Sequence, residues 1–393
     1  DNWQASMMAA GGTPGSQNSV WDTSADNEPP SLSAIRQFGP NQILLAFDDV
    51  LKPNQVGTTS TYSIDQGANI ITVVVLSPKE VLLTLSSLMV DQTTYTVSIT
   101  TIEDCVGNAA NNLSGAFTYF EAGAASRYDI IINEIMSDPN PPVGLPELEY
   151  LELYNRSNKT FNLQGFTIQD RSSVVSTLPF FILAPGEYVT VYGDGGPSLI
   201  SFGNALPTPT FPDLNTSDEV ILRDPTGEVI DGVAYELFWY QNADKDDGGW
   251  SLERMDPNRP CEGATNWAAS QNIAGGTPAQ PNSIRINNPD VQAPDLLRVF
   301  PMGVDSLHLF FSEALDDTLG ADPTNYELVD AAGNDLSNTI LGAELVPPFY
   351  NKVILTLSQP LVLGTVYTLS AKSRVQACVG NLIGLRNSAH LAL

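Results

Sequence analysis

The chain has 393 residues, with 45 acidic, 17 basic and 2 histidine side chains, and a formal net charge of −28. That imbalance repels phosphate backbones and anionic lipid surfaces, so no nucleic acid and no membrane insertion are expected, while divalent cations and neutral or basic surfaces stay open as partners. Apolar content of 42% is ordinary and charged content of 16% is low; the length suits two to four domains, and no apolar run approaches the roughly 18 residues of a spanning helix.

The opening residues return later in the chain. AGGTPGSQNS at 10–19 is answered by AGGTPAQPNS at 274–283, and the match runs without a gap from Asn2 and from Asn266, 264 positions apart. FGPNQILLAFDDVL (38–51) and MGVDSLHLFFSEAL (302–315) keep that offset. Ile43, Leu45 and Phe47 alternate with Leu44 and Ala46, and Leu307, Leu309 and Phe311 fall at the same places. This period of two marks strands with one buried face. TTYTVSITTIEDCVGN (93–108) corresponds to TVYTLSAKSRVQACVGN (365–381), with Cys378 now 273 positions after Cys105, so the second copy carries about nine extra residues, expected in a loop near 330–338. Each copy, 28–120 and 291–393, has the short strands and regular turns of a β-sandwich.

A different unit fills 126–286. It opens with YDIIINEIMSDPNPPVGLPELEYLELYNRS, and FNLQGFTIQD, APGEYVTVYGDGG, DEVILRDPTGEVIDGVAYE and DGGWSLERMDPNRPCEGATNWAAS follow. Asp224-Pro225-Thr226-Gly227 between two apolar runs predicts a hairpin. No capped helical stretch interrupts the strands, so the fold class is all-β throughout.

The middle unit resembles a known family. I-N-E-I-M (132–136), E-Y-L-E-L-Y-N (149–155), F-N-L-Q-G-F-T-I (161–168) and D-x-x-G-x-x-I-D (224–231) are similar, in order, to the lamin tail domain in its bacterial, secreted form. The resemblance implies an Ig-like sandwich of about nine strands. No heptads occur, so the filament role of nuclear lamins does not transfer. F-D-D-V-L (47–51), F-S-E-A-L (311–315), Tyr95, Tyr367 and the closing C-V-G-N resemble the bacterial Ig-like modules of surface-layer and other secreted proteins. The implied architecture is tandem Ig-like β-sandwiches: an Ig-like module, a lamin-tail sandwich and a second Ig-like module. Residues 1–21 then read as the C-terminal remnant of a preceding lamin-tail domain, with Asp1 not a natural beginning and a parent chain that alternates the two module types. The resemblance further implies an extracellular or cell-surface protein of Bacteroidota exported by the type IX route.

Little in the sequence suggests catalysis. His308 and His390 are the two histidines, and there is no H-E-x-x-H or C-x-x-C. Glu134, Glu147, Glu149 and Glu152 sit in the first strands of the middle unit; the spacing of Glu149 and Glu152 sends them to opposite faces unless a bulge intervenes. No catalytic residue and no enzyme are expected. Asp244, Asp246 and Asp247, before Gly248-Gly249, place oxygen ligands at alternate positions and echo a calcium loop. No Glu follows at the EF-hand interval, and the alternative is a polar turn leading into Trp250. Ca2+ is the one cofactor the sequence leaves open.

Cys105 and Cys378 occupy the same place in the two Ig-like copies, and Cys261 lies five residues before Asn266. Repeat arithmetic puts another cysteine just upstream of Asp1, giving each module type one. This favours a Cys261–Cys378 bridge, with Cys105 joined to the upstream cysteine; a Cys105–Cys261 register and three separate thiols are the alternatives. Phe238, Trp239, Tyr240 and Trp250 form a carbohydrate platform if exposed and sandwich core if buried. Asn112, Asn155, Asn158 and Asn215 head N-glycan acceptor patterns, and Asp305-Ser306-Leu307 and Asp317-Thr318-Leu319 are similar to an O-glycosylation motif of Bacteroidota. The expected partners are neighbouring repeat modules or identical chains, with cell-surface components or glycans beyond them. The expected function is a non-enzymatic stalk, filament or adhesin shaft. The alternatives are an accessory spacer of a secreted hydrolase and a carbohydrate-binding module.

Overall fold

The structure is a computed structural model that describes residues 6–8, 12–19, 26–172 and 174–393. Of the expected tail segment 1–21, residues 1–5, 9–11 and 20–21 lie outside the described residues. The described chain is all-β. Its only α-helical pieces are two four-residue turns, Pro53–Val56 and Asp317–Gly320, and no helix among the described residues is long and apolar enough to cross a membrane. The chain divides into two compact units, Asp1–Glu121 and Ala122–Leu393.

The first unit is a two-sheet sandwich. β1 (Leu32–Gly39), β2 (Gln42–Phe47), β4 (Ile70–Ser77) and β5 (Glu80–Leu85) form one sheet in the order β1-β2-β5-β4. β3 (Tyr62–Ile64), β6 (Thr93–Glu103) and β7 (Ala109–Tyr119) form the other, ordered β3-β6-β7. Alternate residues meet between the sheets: Ile43, Leu45 and Phe47 with Val81, Leu83 and Leu85 from one side, and Tyr95, Val97 and Ile99 from the other. Two tyrosines anchor the loops at the sandwich ends. Tyr62 Oη donates to Val56 O at 3.0 Å, and Val90 N donates to Tyr95 Oη at 2.9 Å.

The second unit holds the middle sandwich, which resembles a lamin tail domain, and the module after it. β8 (Ile130–Met136), β9 (Tyr150–Asn155), β14 (Tyr188–Gly193), β15 (Ala205–Thr208), β18 (Leu252–Arg254) and β19 (Trp267–Ala269) make a six-stranded sheet in the order β15-β14-β9-β8-β18-β19. Facing it are β12 (Val175–Thr177), β11 (Thr167–Gln169), β16 (Asp218–Arg223) and β17 (Val229–Tyr235), with the small pair β10 (Phe161–Asn162) and β13 (Ile182–Leu183) beside them. The family resemblance implies about nine strands; the structure has twelve, because several are two- or three-residue pieces separated by turns. The predicted hairpin at Asp224 is present: its carboxylate accepts from Thr226 N and Glu228 N, closing β16 onto β17.

The last module repeats the first. β20 (Leu296–Pro301), β21 (Ser306–Phe311), β23 (Ile340–Leu345) and β24 (Lys352–Leu357) form one sheet, and β22 (Tyr326–Asp330), β25 (Val366–Ala371) and β26 (Ser388–Ala392) the other. The tyrosine anchors recur: Tyr326 Oη donates to Gly320 O at 2.6 Å and Val362 N to Tyr367 Oη at 2.8 Å. Eight of the nine extra residues of this copy occupy two loops rather than one, and the ninth falls between Tyr367 and Cys378. Nine residues (331–339) join β22 to β23 where five (65–69) join β3 to β4, and six (346–351) join β23 to β24 where two (78–79) join β4 to β5. The second of these loops touches the middle sandwich. A Cβ added at Gly232 on β17 would stand 3.3 Å from Pro348 O, and the Arg127 guanidinium lies 3.7 Å from the centre of the Tyr350 ring.

Candidate functional site

Three glutamates stand directly opposite one another across the six-stranded sheet: Glu152 on β9, Glu134 on β8 and Glu253 on β18. Like charges in one cross-strand row repel, and burying them adds a desolvation cost of several kcal/mol per ion. All three are nonetheless fully buried. A bulge between Ile132 and Glu134 lets Ile132 and Ile135 face the core while Glu134 turns to the opposite face.

What covers the row is the repeated passage AGGTPAQPNS. Thr277 N and its hydroxyl bond Glu134 at 2.8 and 3.0 Å, Ala279 N donates to Glu152 Oε2 at 2.6 Å, and Ser283 Oγ donates to Glu253 Oε2 at 2.8 Å. From the sheet, Tyr150 Oη and Ser251 Oγ donate to Glu134 Oε1, and Asn133 Nδ2 to Glu152 Oε1. The Thr277 hydroxyl lies 3.0 Å from Glu134 Oε2 and 3.0 Å from Glu253 Oε1. It carries one proton, so one of those carboxyls must supply the other. Burial, with repulsion from Glu253, accordingly pushes Glu134 up to about 7, and burial raises Glu152 well above its ordinary value. The passage can approach this closely because Gly276 has no side chain: a Cβ there would collide with Tyr150 Oη and sit 2.7 Å from Glu134 Oε1. The row is a closed, internally satisfied network rather than an open cleft.

Beyond the row the sandwich meets the next module. Arg254 is fully buried; its Nε donates to Ile132 O at 3.0 Å, its Nη1 to Pro260 O at 2.7 Å, and its Nη2 lies 3.3 Å from Asp231 Oδ2. Burial raises the Asp231 carboxyl and lowers the guanidinium, and each offsets the other. These bonds hold the turn that presents Cys261. Cys261 is joined to Cys378 of the last module in a disulfide, with Cα atoms 6.5 Å apart. Arg127 pairs with Asp317 across the same joint. Beside the disulfide, Glu262, Asp290 and Glu313 bring carboxylate oxygens within 4.8 Å of one another. Burial and its two neighbours push Glu313 up to about 8, and burial also raises Glu262.

The residues singled out in the sequence fall differently. Asp244, Asp246 and Asp247 are not brought together as a ligand set: among the described residues, the carboxylate groups that converge are Glu262–Asp290–Glu313 and Asp26–Asp49–Asp104. The segment is a turn, in which Asp244 N donates to Asn242 Oδ1 at 2.9 Å and Lys245 Nζ lies 3.8 Å from the centre of the Trp250 ring. Gly248 and Gly249 adopt positive φ there, packed on the backbone of Asn140 and Pro141. Glu149 bonds Leu214 N at 2.9 Å, away from Glu152, and Glu147 is exposed. Trp239 and Tyr240 are buried in the core with Trp250 packed against it, whereas Phe238 is exposed. His308 lies on β21 and His390 on β26, where its Nδ1 is 3.0 Å from Thr368 Oγ1. Asn155 is fully buried and its amide donates to Lys159 O and Leu183 O, which leaves no room for a glycan. Cys105 is exposed and free. Sequence reasoning passed over Glu253, Glu262, Asp290 and Glu313. For the last two a signal existed, since they stand 264 positions after Asp26 and Asp49.

Residues 123–236 match the family model described as Lamin Tail Domain, and residues 29–120 match that described as Bacterial Ig-like domain. No curated protein matches the sequence. Among solved structures the chain is similar to the N-terminal part of the bacterial S-layer protein SbsC, with 16% identity over 52% of this chain and 43% of that one and a TM-score of 0.27. It is also similar to a longer SbsC structure, with 13% identity over 88% of this chain and 53% of that one and a TM-score of 0.25. A third likeness is to a DUF4876 family protein from Bacteroides thetaiotaomicron, with 12% identity over 50% of this chain and 84% of that one and a TM-score of 0.24. The chain spans about half the length of the SbsC structures it matches. The lamin-tail match ends at residue 236, whereas the sandwich continues through β18, β19 and the passage that covers the glutamate row. The chain thus contains a bacterial Ig-like domain followed by a lamin tail domain.

Proposed function

We propose that this chain is a non-enzymatic structural segment of a longer extracellular repeat protein, in which alternating lamin-tail and Ig-like sandwiches make a stalk, filament or adhesin shaft. The observation that carries the reading is the joint: a disulfide, the Arg127–Asp317 pair and the 346–351 loop all tie the lamin-tail sandwich to the module that follows. A cross-link across 117 residues of sequence restricts how one module can turn against the next, which is what a load-bearing spacer requires. A disulfide also fits an oxidising location, outside the cytoplasm or on the cell surface. The buried glutamate row supports the same reading, because its carboxylates are spent on closing the sandwich and offer nothing to a substrate.

The partners are neighbouring modules or identical chains, and Cys105, at the place of Cys378, bridges to the lamin-tail unit preceding it in the array. The testing experiment is peptide mapping by mass spectrometry of the parent polypeptide isolated without reduction. Further lamin-tail and Ig-like repeats, with cross-linked peptides between adjacent modules, support the shaft. A hydrolase domain attached to one or two such modules overturns it and makes the chain an enzyme's spacer.

A further inference from the structure

Glu262 belongs to the lamin-tail sandwich, while Asp290 and Glu313 flank the start of the module that follows. Their carboxylate oxygens lie within 4.8 Å of one another. Arg259 supplies one positive charge, with its Nη2 2.9 Å from Glu262 Oε2 and 3.6 Å from Asp290 Oδ1. Three carboxyl groups share one guanidinium in a place largely shut off from water, so all three can ionise together only with further positive charge beside them: the Asp290 side chain is 2% exposed and that of Glu262 is 9% exposed. Glu262 Oε1 is enclosed and has no hydrogen-bond partner. An enclosed, unpartnered carboxylate oxygen on a member of such a cluster calls for a cation.

The same arrangement recurs in the first module. Asp26 and Asp49, 264 positions before Asp290 and Glu313, converge with a third carboxylate, Asp104. Asn108 Nδ2 holds Asp26 O at 3.1 Å, as Asn381 Nδ2 holds Asp290 O at 3.3 Å and Asp290 Oδ2 at 2.7 Å. The third member differs. Asp104 already accepts from the backbone of Val106, Gly107 and Asn108, and its counterpart in the last module is Ala377. There the third carboxylate comes instead from the neighbouring sandwich, and one of its oxygens has no hydrogen-bond partner.

We propose that Glu262, Asp290 and Glu313 bind one hard divalent cation of the calcium type in the joint between the lamin-tail sandwich and the following module. Oxygen-only ligands suit such an ion, and carboxylates from separate segments suit the larger, geometrically tolerant Ca2+ better than Mg2+. A cavity of about 290 Å3, lined by Glu262, Glu313, Ser312 and Asn351, adjoins the cluster and has room for the waters that complete its shell. Because the ligands come from both sandwiches, the ion locks the joint beside the disulfide. The inference stands whether or not the chain is part of a shaft.

The test is calcium titration of the purified, oxidised, chelator-treated chain by calorimetry, with thermal unfolding in Ca2+ and in EDTA. The variants are Glu262→Gln with Glu313→Gln, and separately Asp49→Asn. The wild type is expected to bind one more Ca2+ than the double variant, with Kd on the order of 0.1–1 mM, and to gain roughly 1–5 °C in the second unit's transition at millimolar Ca2+. The double variant should lose that gain while matching or exceeding the wild type's stability in EDTA, since it has lost the repulsion, and Asp49→Asn should retain the gain. Equal Ca2+ stoichiometry in wild type and double variant overturns the proposal. So does a second-unit transition indifferent to Ca2+ that rises on acidification, which would mean a shared proton satisfies the cluster.

Discussion

The passage that closes the lamin-tail sandwich occurs twice, and among the described residues the two copies share a pair of bonds at their serines but not their surroundings. Ser6 Oγ lies 3.0 Å from Ser19 Oγ, and Ser270 Oγ 3.3 Å from Ser283 Oγ. Met7 N donates to Ser19 Oγ at 2.9 Å, and Gln271 N to Ser283 Oγ at 2.7 Å. Thr277 goes on to bond the glutamate row, whereas the Thr13 hydroxyl donates to Asn18 Oδ1 within its own segment. The short passage therefore encodes its own turn, and its structural role comes from the carboxylates it meets. The cysteines teach the same lesson. Cys105 N donates to Val50 O and Cys378 N to Ala314 O in equivalent bonds, yet Cys105 is free and Cys378 is bridged. Local structure repeats faithfully; what a residue does depends on its neighbour.

The largest effect should come from the bridge. Cys378→Ser is expected to lower the second unit's stability by about 5 kcal/mol, the loop-entropy figure for a closed loop on the order of 100 residues, while Cys105→Ser leaves both transitions in place. Calorimetry with and without reductant checks both. Next is the glycine pair. Gly276→Ala places a methyl against Tyr150 Oη and Glu134 and should cost about 2–3 kcal/mol. Gly12→Ala, whose Cβ would meet only Pro14 Cδ, at 3.9 Å, among the described residues, should be neutral to within about 0.5 kcal/mol. Urea unfolding of the two variants decides this.

The pH response comes third. Glu134 is raised to about 7 in the folded chain from an ordinary 4.5, so the folded form holds the proton more tightly than the unfolded form. That contribution to stability is present below about pH 4.5 and is lost as pH rises through about 7. Urea midpoints of the second unit should therefore fall across this window, and Glu134→Gln should flatten the fall. The smallest effect is at Arg127, whose replacement by Ala removes the Asp317 pair and the stacking on Tyr350, for about 1 kcal/mol. A loss confined to the second unit is the expected calorimetric result.

The strands and the repeat were legible because alternation such as Ile43, Leu45 and Phe47 is local and is written twice. Of the cysteine registers left open in the sequence, the structure contains Cys261–Cys378. The glutamate row was not legible. Glu253 lies more than 100 residues after Glu134 and reaches it only through the pairing of β18 with β8, which no local pattern announces. The segment read as a calcium loop shows the opposite case. Alternate spacing of Asp244 and Asp246 is local, but the two glycines after Asp247 are fitted to the backbone at Asn140 and Pro141, and nothing gathers the carboxylates. The carboxylates that do converge come from segments distant in sequence.

The central claim is that the lamin-tail sandwich and the module after it are covalently joined into one load-bearing unit. Pulling the oxidised chain from its two ends in a single-molecule stretching experiment tests this directly. With the bridge intact, the 117-residue span between Cys261 and Cys378 stays shielded, so the fully unfolded length should be about 400 Å shorter than after reduction, at roughly 3.4 Å per residue. Equal lengths before and after reduction would contradict the account.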